Sequence, residues 1–481
     1  MSQISRRTAL QATGALLFSA AVHPTLATAD GHSHTDWTSF GGNGGNTGYN
    51  PEARVPKQNV GARWRYDMLP GFPSGPAVVD GTVYFTSAQG EVFAVEVATG
   101  ERKWRTSLDE PLGDIPDDIP TPCVASGSVF VGSKNGKLYS LNAVTGNRNW
   151  SISTSSEITT PVGESNGRVY FIDDGVNAVD AESGDELWRF DDEFFFESGL
   201  GIVDGTVYAG SSGGTMYALD GADGSVVWTT DLGGEVRAPP AVTDEAVYVG
   251  TENGNFFALS RADGAPEWTT ELNQDVITSP AVSDERVFIG GEGQSDFYAL
   301  DRASGSVEWT AFISEEEASV RASPAVADGV VFITHGDLRA IDAETGEDLW
   351  RYPRGDFISS PPAIVDGVIV VGNWDHSLYA ISSDTFEPKT PTATDTETVT
   401  ATETETAVSD ETSTSTNQND MQTEQTPIEA TGTTTEEPVN RGFITNGEEG
   451  QLDALSDPYV LTIGGFALSV AGVLHSMIGG Q

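Results

Sequence analysis

The stretch "AIDAETGEDLW" at residues 340–350 decides the fold, because the chain has written it before. "ALDRASGSVEW" occupies 299–309 and "ALSRADGAPEW" 258–268, and "AVDAESGDELW" and "SLNAVTGNRNW" lie further upstream. In each, a small residue opens the segment and a glycine stands four positions before a closing tryptophan. These tryptophans are Trp104, Trp150, Trp188, Trp228, Trp268, Trp309 and Trp350, so successive separations are 46, 38, 40, 40, 41 and 41 residues. A period near forty marks a repeat architecture rather than a string of unrelated domains.

Between tryptophans the pattern is equally regular. Short alternating runs such as "VVFIT", "TVYAG" and "AVYVG" are separated by glycine-rich turns such as "KNGK", "SGGT" and "ENGN". Alternation of period two broken by such turns predicts antiparallel hairpins, and four short strands per repeat make one propeller blade. Inner strands are predicted to open near Pro76, Pro122, Pro161, Gly201, Pro240, Pro280, Pro324 and Pro362, which makes eight blades. The eighth lacks its glycine–tryptophan end. "NVGARWRY" at 59–66 supplies Gly61 and Trp64, so the N-terminal strand is expected to complete the last blade and leave no free sheet edge. Trp64 and the seven repeat tryptophans are therefore read as docking residues between blades. The fold class is all-β, an eight-bladed β-propeller.

These segments resemble the tryptophan-docking repeat of quinoprotein propellers and of the wider PQQ-like repeat family, which includes the outer-membrane assembly factor BamB. The resemblance covers about Asp36 to Asp384, and "DWTSFGGNGGNTGYNP" is similar to the family's lead-in to the first blade. It implies either a protein-assembly scaffold or an oxidoreductase. In the enzymes, Ca²⁺ held by Glu, Asn and Asp positions the quinone PQQ, an Asp acts as base, and a vicinal disulfide is frequent. Cys123 is the only cysteine, so no such disulfide can form, and "TPCVASG" places it where sibling repeats carry alanine, as a small buried residue. No calcium ligand or catalytic base maps onto a residue of this chain. No catalytic residue is assigned, and PQQ with calcium stays an implication of the resemblance alone.

Composition narrows the partners. Seventy-two acidic residues against 24 basic ones give a formal net charge of −48. That field repels phosphate backbones, which excludes nucleic acid, and it suits life in high salt, where screening is strong. Residues 1–29 read as a twin-arginine-type export signal: Arg6 and Arg7 precede an apolar run, and Ala27-Thr28-Ala29 offers small residues for cleavage. Residues 30–58 form the lead-in and 59–385 the propeller. Residues 386–456, rich in Thr and Glu, read as a disordered stalk. Within 457–481, Tyr459 to Ile478 holds no Asp, Glu, Lys or Arg and would span roughly 30 Å as a helix, a membrane anchor. The expected location is the cell surface, with the propeller outside.

Function must sit where blades differ. The connection 107–121 carries an insertion, 190–199 ("FDDEFFFESG") groups Phe194, Phe195 and Phe196, 313–323 is long and charged, and 351–360 adds Arg354. Exposed aromatics beside carboxylates make Phe194–Phe196 the candidate partner surface. Arg237 and Arg321 each stand three residues before an inner-strand proline, so both are expected at the channel mouth, able to take an anion or to neutralise Glu235 and Glu317. Cleavage after Ala29 would put His32 third in the mature chain, where the terminal amine, two amides and the imidazole suit Cu²⁺. Otherwise no metal site is expected. The sequence thus reads as an anchored, monomeric, non-catalytic scaffold for a protein or peptide. A quinoprotein oxidoreductase and a receptor for a small solute or glycan are the alternatives.

Overall fold

A computed structural model describes residues 36–68, 71–109, 111–113, 119–292, 296–313, 322–353, 358 and 360–383. The signal, His32, Arg321, Arg354, the stalk and the anchor segment lie outside the described residues. No helix among the described residues is long and apolar enough to cross a membrane.

Eight four-stranded antiparallel sheets make eight blades. Their inner strands, blades 1 to 8, are Ala77–Val79, Cys123–Ala125, Gly163–Ser165, Phe196–Val203, Ala241–Val242, Ala281–Val282, Ala325–Ala327 and Ala363–Val365. Blade 8 takes its outermost strand from the other end of the sequence: Gly61–Asp67 pairs with Ser377–Ser382. Inner and middle strands are buried nearly throughout, whereas outer strands alternate, as in Arg102–Ser107, where Trp104 is buried between exposed neighbours.

The signature stretch has a local explanation. Ala340 pairs with Trp350 across the hairpin, and a register shift follows at Ile341. Between them the Asp342 carboxylate accepts hydrogen bonds from the Glu344 N–H (3.1 Å), the Thr345 N–H (2.9 Å) and the Thr345 hydroxyl (3.0 Å). Burial works against this carboxylate, but those bonds outweigh it and hold its pKa below the ordinary value. Gly346 then turns the chain at φ +75°.

That glycine is also the seat for the previous blade. The Trp309 ring lies over it so closely that a Cβ there would meet the ring Cδ2 at 2.8 Å. The Trp309 indole N–H donates to the Ala343 carbonyl at 3.2 Å. Each of the eight tryptophans makes the equivalent bond to the next blade, from Trp64 to Val97 O (2.8 Å) round to Trp350 to Pro56 O (2.8 Å). Each such bond contributes about 1 kcal/mol net.

The closing blade corrects the expected role of Gly61. In the other blades the accepting carbonyl lies three residues before the glycine, so Pro56 points to Asn59, which holds φ +54°. Gly61 sits within the closing strand, and nothing lies within 4 Å of a Cβ built there. A register shift between Ala62 and Trp64 absorbs the extra residue. Asparagine serves because its short polar side chain tolerates the left-handed region.

Candidate functional site

The lead-in determines what the propeller axis can do. From Trp37 onward it travels round the ring and hydrogen-bonds the inner strands in turn. Trp37 exchanges both backbone bonds with Val78 of blade 1, and Thr38 O accepts from Val124 of blade 2. Gly44, Gly45, Thr47 and Gly48 carbonyls accept from Ile202, Val242, Val282 and Val326 of blades 4 to 7, at 2.6 to 2.7 Å. Asn50 Nδ2 donates to Ile364 O of blade 8 at 2.9 Å. Gly45 must be glycine, because a Cβ there would meet Val242 O at 2.3 Å. The lead-in therefore plugs one end of the axis. Between its contacts with blades 2 and 4 lies the 3₁₀ turn Phe40–Gly42.

At the other end a cavity of about 330 Å³ opens, floored by Phe40 and walled by the residues that lead into all eight inner strands. Pro73, Ile119 and Ile277 give it apolar lining, and Thr159, Glu197 and Arg237 polar lining. Several hydroxyls in the wall are spent on holding it. Ser198 Oγ bridges the Gly210 N–H (3.0 Å) and carbonyl (3.1 Å), and Ser360 Oγ accepts from the Gly372 N–H at 2.7 Å. Thr160 Oγ1 is buried with no hydrogen-bond partner among the described residues.

Arg237 stands at the mouth, half exposed, but its charge is already answered. Glu252 lies at 2.9 Å, Glu235 at 3.1 Å and Glu197 at 3.6 Å. Burial pushes the Glu252 carboxyl above its ordinary value, Arg237 pulls it down, and Glu235 and Asp275 push it up again. Among the described residues, three carboxylates including Glu235 therefore surround this one cation.

The three phenylalanines separate. Phe196 is 3% exposed, packed between Phe190 and Tyr217, so it is core and not part of a partner surface. Phe194 and Phe195 are 49% and 67% exposed. They are nonetheless fixed: Phe195 O accepts from the Ser212 N–H at 2.8 Å, and the Phe194 ring lies on Gly213, where a Cβ would meet it at 2.3 Å. The Tyr217 hydroxyl donates to Asp192 at 2.6 Å and ties down the start of the loop. Burial, then that carboxylate, raises the Tyr217 pKa to about 12.

Two residues of the axis escaped the sequence reading. Phe40 floors the cavity. Glu164 occupies the inner-strand position of blade 3 where the other seven blades carry Val or Ile, and its Oε1 accepts from the Gly167 N–H at 2.8 Å. Lining up the eight inner strands would have exposed it. His376, in the inter-strand turn at φ +65°, sets Nδ1 2.9 Å from Gly71 O and stacks on Phe72. No cluster of three His, Cys, Asp or Glu able to hold a metal occurs among the described residues.

Eight tryptophan-docked blades around an axis plugged at one end define a PQQ-like β-propeller. The profile of the outer membrane protein assembly factor BamB family matches residues 57–171, 172–269, 243–324 and 296–389, and the chain belongs to that family. The quinohemoprotein alcohol dehydrogenase of Comamonas testosteroni is similar in structure, with a TM-score of 0.62 and 17% identity over 76% of this chain and 83% of that one. BamB of Moraxella catarrhalis gives 0.56 and 17% over 68% and 99%. Among curated sequences, the dehydrogenase subunit of a quinone alcohol dehydrogenase from Gluconobacter oxydans is 29% identical over 117 residues, 21% of this chain. The match spans only 16% of that relative's own length.

The names of such relatives imply a quinone, which the cavity wall would have to hold. PQQ carries three carboxylates, and among the described residues the mouth offers Arg237, which is shared by three glutamates. Among the described wall residues there is no Glu–Asn–Asp set for calcium. The described residues do not fit the group.

Proposed function

We propose that this protein is an exported, membrane-anchored propeller that holds another protein or peptide on its mouth face without catalysis. The observation that carries this reading is the pair Phe194 and Phe195, exposed yet fixed beside the axial mouth. Rigid aromatics on a surface lose little freedom on binding and are typical anchors of interfaces. The assembly role in the family's name supports the same reading. Export by the signal at 1–29 and anchoring by 457–481 belong to the proposal and place this face outside the membrane.

A quinoprotein oxidoreductase is the second reading, favoured by the names of the dehydrogenase relatives. Titrating the full chain with PQQ and Ca²⁺, following tryptophan fluorescence and dye-linked oxidation of alcohols and sugars, separates the two. The scaffold predicts neither saturable quenching nor turnover. Binding with turnover would replace it with an enzyme, and saturable solute binding without turnover would make the cavity a receptor site.

A further inference from the structure

We infer that the mouth face beside blade 4 takes a partner segment in which apolar side chains alternate with lysine or arginine. The inference rests on the scaffold reading and specifies its partner. Four observations lead to it. Phe194 and Phe195 offer adjacent apolar surface, with 49% and 67% of the two residues left exposed. Their loop is held at both ends, by Asp192 on Tyr217 and by Phe195 O on Ser212, so the rings are presented and not loose.

The charges around them are mostly negative. Asp191, Asp192, Glu193 and Glu197 flank the two rings within the same loop; Asp191 is paired with Arg189 at 2.7 Å, so the acidic excess rests on the other three, of which Glu197 has a side chain 51% exposed. At the inner edge, Glu197 joins Glu235 and Glu252 around Arg237, the only cation of that group. An acidic or neutral segment would add repulsion or leave this charge unanswered, whereas a basic one relieves it. Phe195 and Glu197 are both exposed on either side of the buried Phe196, so an apolar and a basic side chain of one segment reach them together.

The test uses the full chain and three fluorescein-labelled heptapeptides, alternating Lys–Leu, Lys–Ser and Glu–Leu, read by fluorescence anisotropy at fixed salt. Lys–Leu should bind, Lys–Ser should bind at least about tenfold more weakly, and Glu–Leu should not bind. The double variant F194S/F195S should lose about tenfold or more of Lys–Leu affinity. The variant V226S/V227S, which removes valines 48% and 54% exposed on an outer strand, should leave it unchanged. Equal binding of Lys–Ser and Lys–Leu would reduce the effect to bulk attraction by an acidic protein and overturn the inference. So would F194S/F195S binding like the parent. Failure here without quinone turnover leaves a scaffold that uses another face, while turnover in the assay above removes the scaffold itself.

Discussion

Replacing Gly264 with alanine tests whether the repeat glycine is required by backbone conformation or by the tryptophan that rests on it. Gly264 has φ +72°, and an added Cβ would meet Trp228 Cε3 at 2.5 Å and Thr230 Oγ1 at 2.6 Å. Gly329 has the same φ of +72°, with nothing within 4 Å of its Cβ position. The left-handed conformation costs an alanine roughly 1–2 kcal/mol at either site. Overpacking at Gly264 adds about 1–3 kcal/mol more, because the ring must move and two bonds go with it: Trp228 Nε1 to Arg261 O (3.0 Å) and Thr230 Oγ1 to Gly264 O (2.7 Å). Gly264→Ala should therefore cost about 2–5 kcal/mol, and Gly329→Ala only the conformational share. Urea midpoints at constant salt, followed by tryptophan fluorescence with the slope compared between variants, measure both. Equal losses at the two sites would refute the idea that inter-blade docking selects the glycine.

Three further outcomes are expected. Asn59→Gly should be nearly neutral and Asn59→Ala should cost about 1 kcal/mol, since Asn59 holds the left-handed seat of the closing blade; thermal unfolding checks both. Asn46→Ala removes hydrogen bonds to Leu200 O (2.6 Å) and Pro240 O (3.3 Å) from a buried side chain, and should cost about 1–3 kcal/mol. Its signature is faster hydrogen exchange at Ile202 and Val242, the amides that the lead-in covers. Asp180, Asp301 and Asp342 are held below the ordinary carboxylate value of 3.8 by their turn hydrogen bonds. Their stabilisation is fully present above that value and is lost as pH falls through the depressed folded values. Converting all three to asparagine, the residue that blade 2 already carries as Asn142 with the same turn bonds, should flatten the stability profile below pH 3.8 relative to the parent.

Blade number, strand order and ring closure were all legible in the chain, because each blade repeats one local solution. Ala340, Asp342, Gly346 and Trp350 are fixed by a hairpin register, a side-chain-capped turn, a left-handed residue and a docking ring. Those are short-range requirements that recur every forty residues, so eight imperfect copies reinforce one another. The candidate partner surface was visible too, as "FDDEFFFESG", but not which ring would be core: Phe196 enters the inner strand of blade 4 and turns inward, while Phe194 and Phe195 remain in the connection.

What the tertiary structure alone decided lies on the axis. The lead-in carries glycines and asparagines with no period, and nothing local says that Gly44, Gly45, Thr47 and Gly48 will bond four different blades. From sequence Arg237 could take an anion or neutralise Glu235, and Glu252, fifteen residues away and in the turn of its own blade, could not be placed beside it. Phe40 acquires meaning only when eight inner strands converge on one line. The sequence encodes each blade through contacts between near neighbours, whereas the axis is made where distant segments meet, and only the closed ring brings them together.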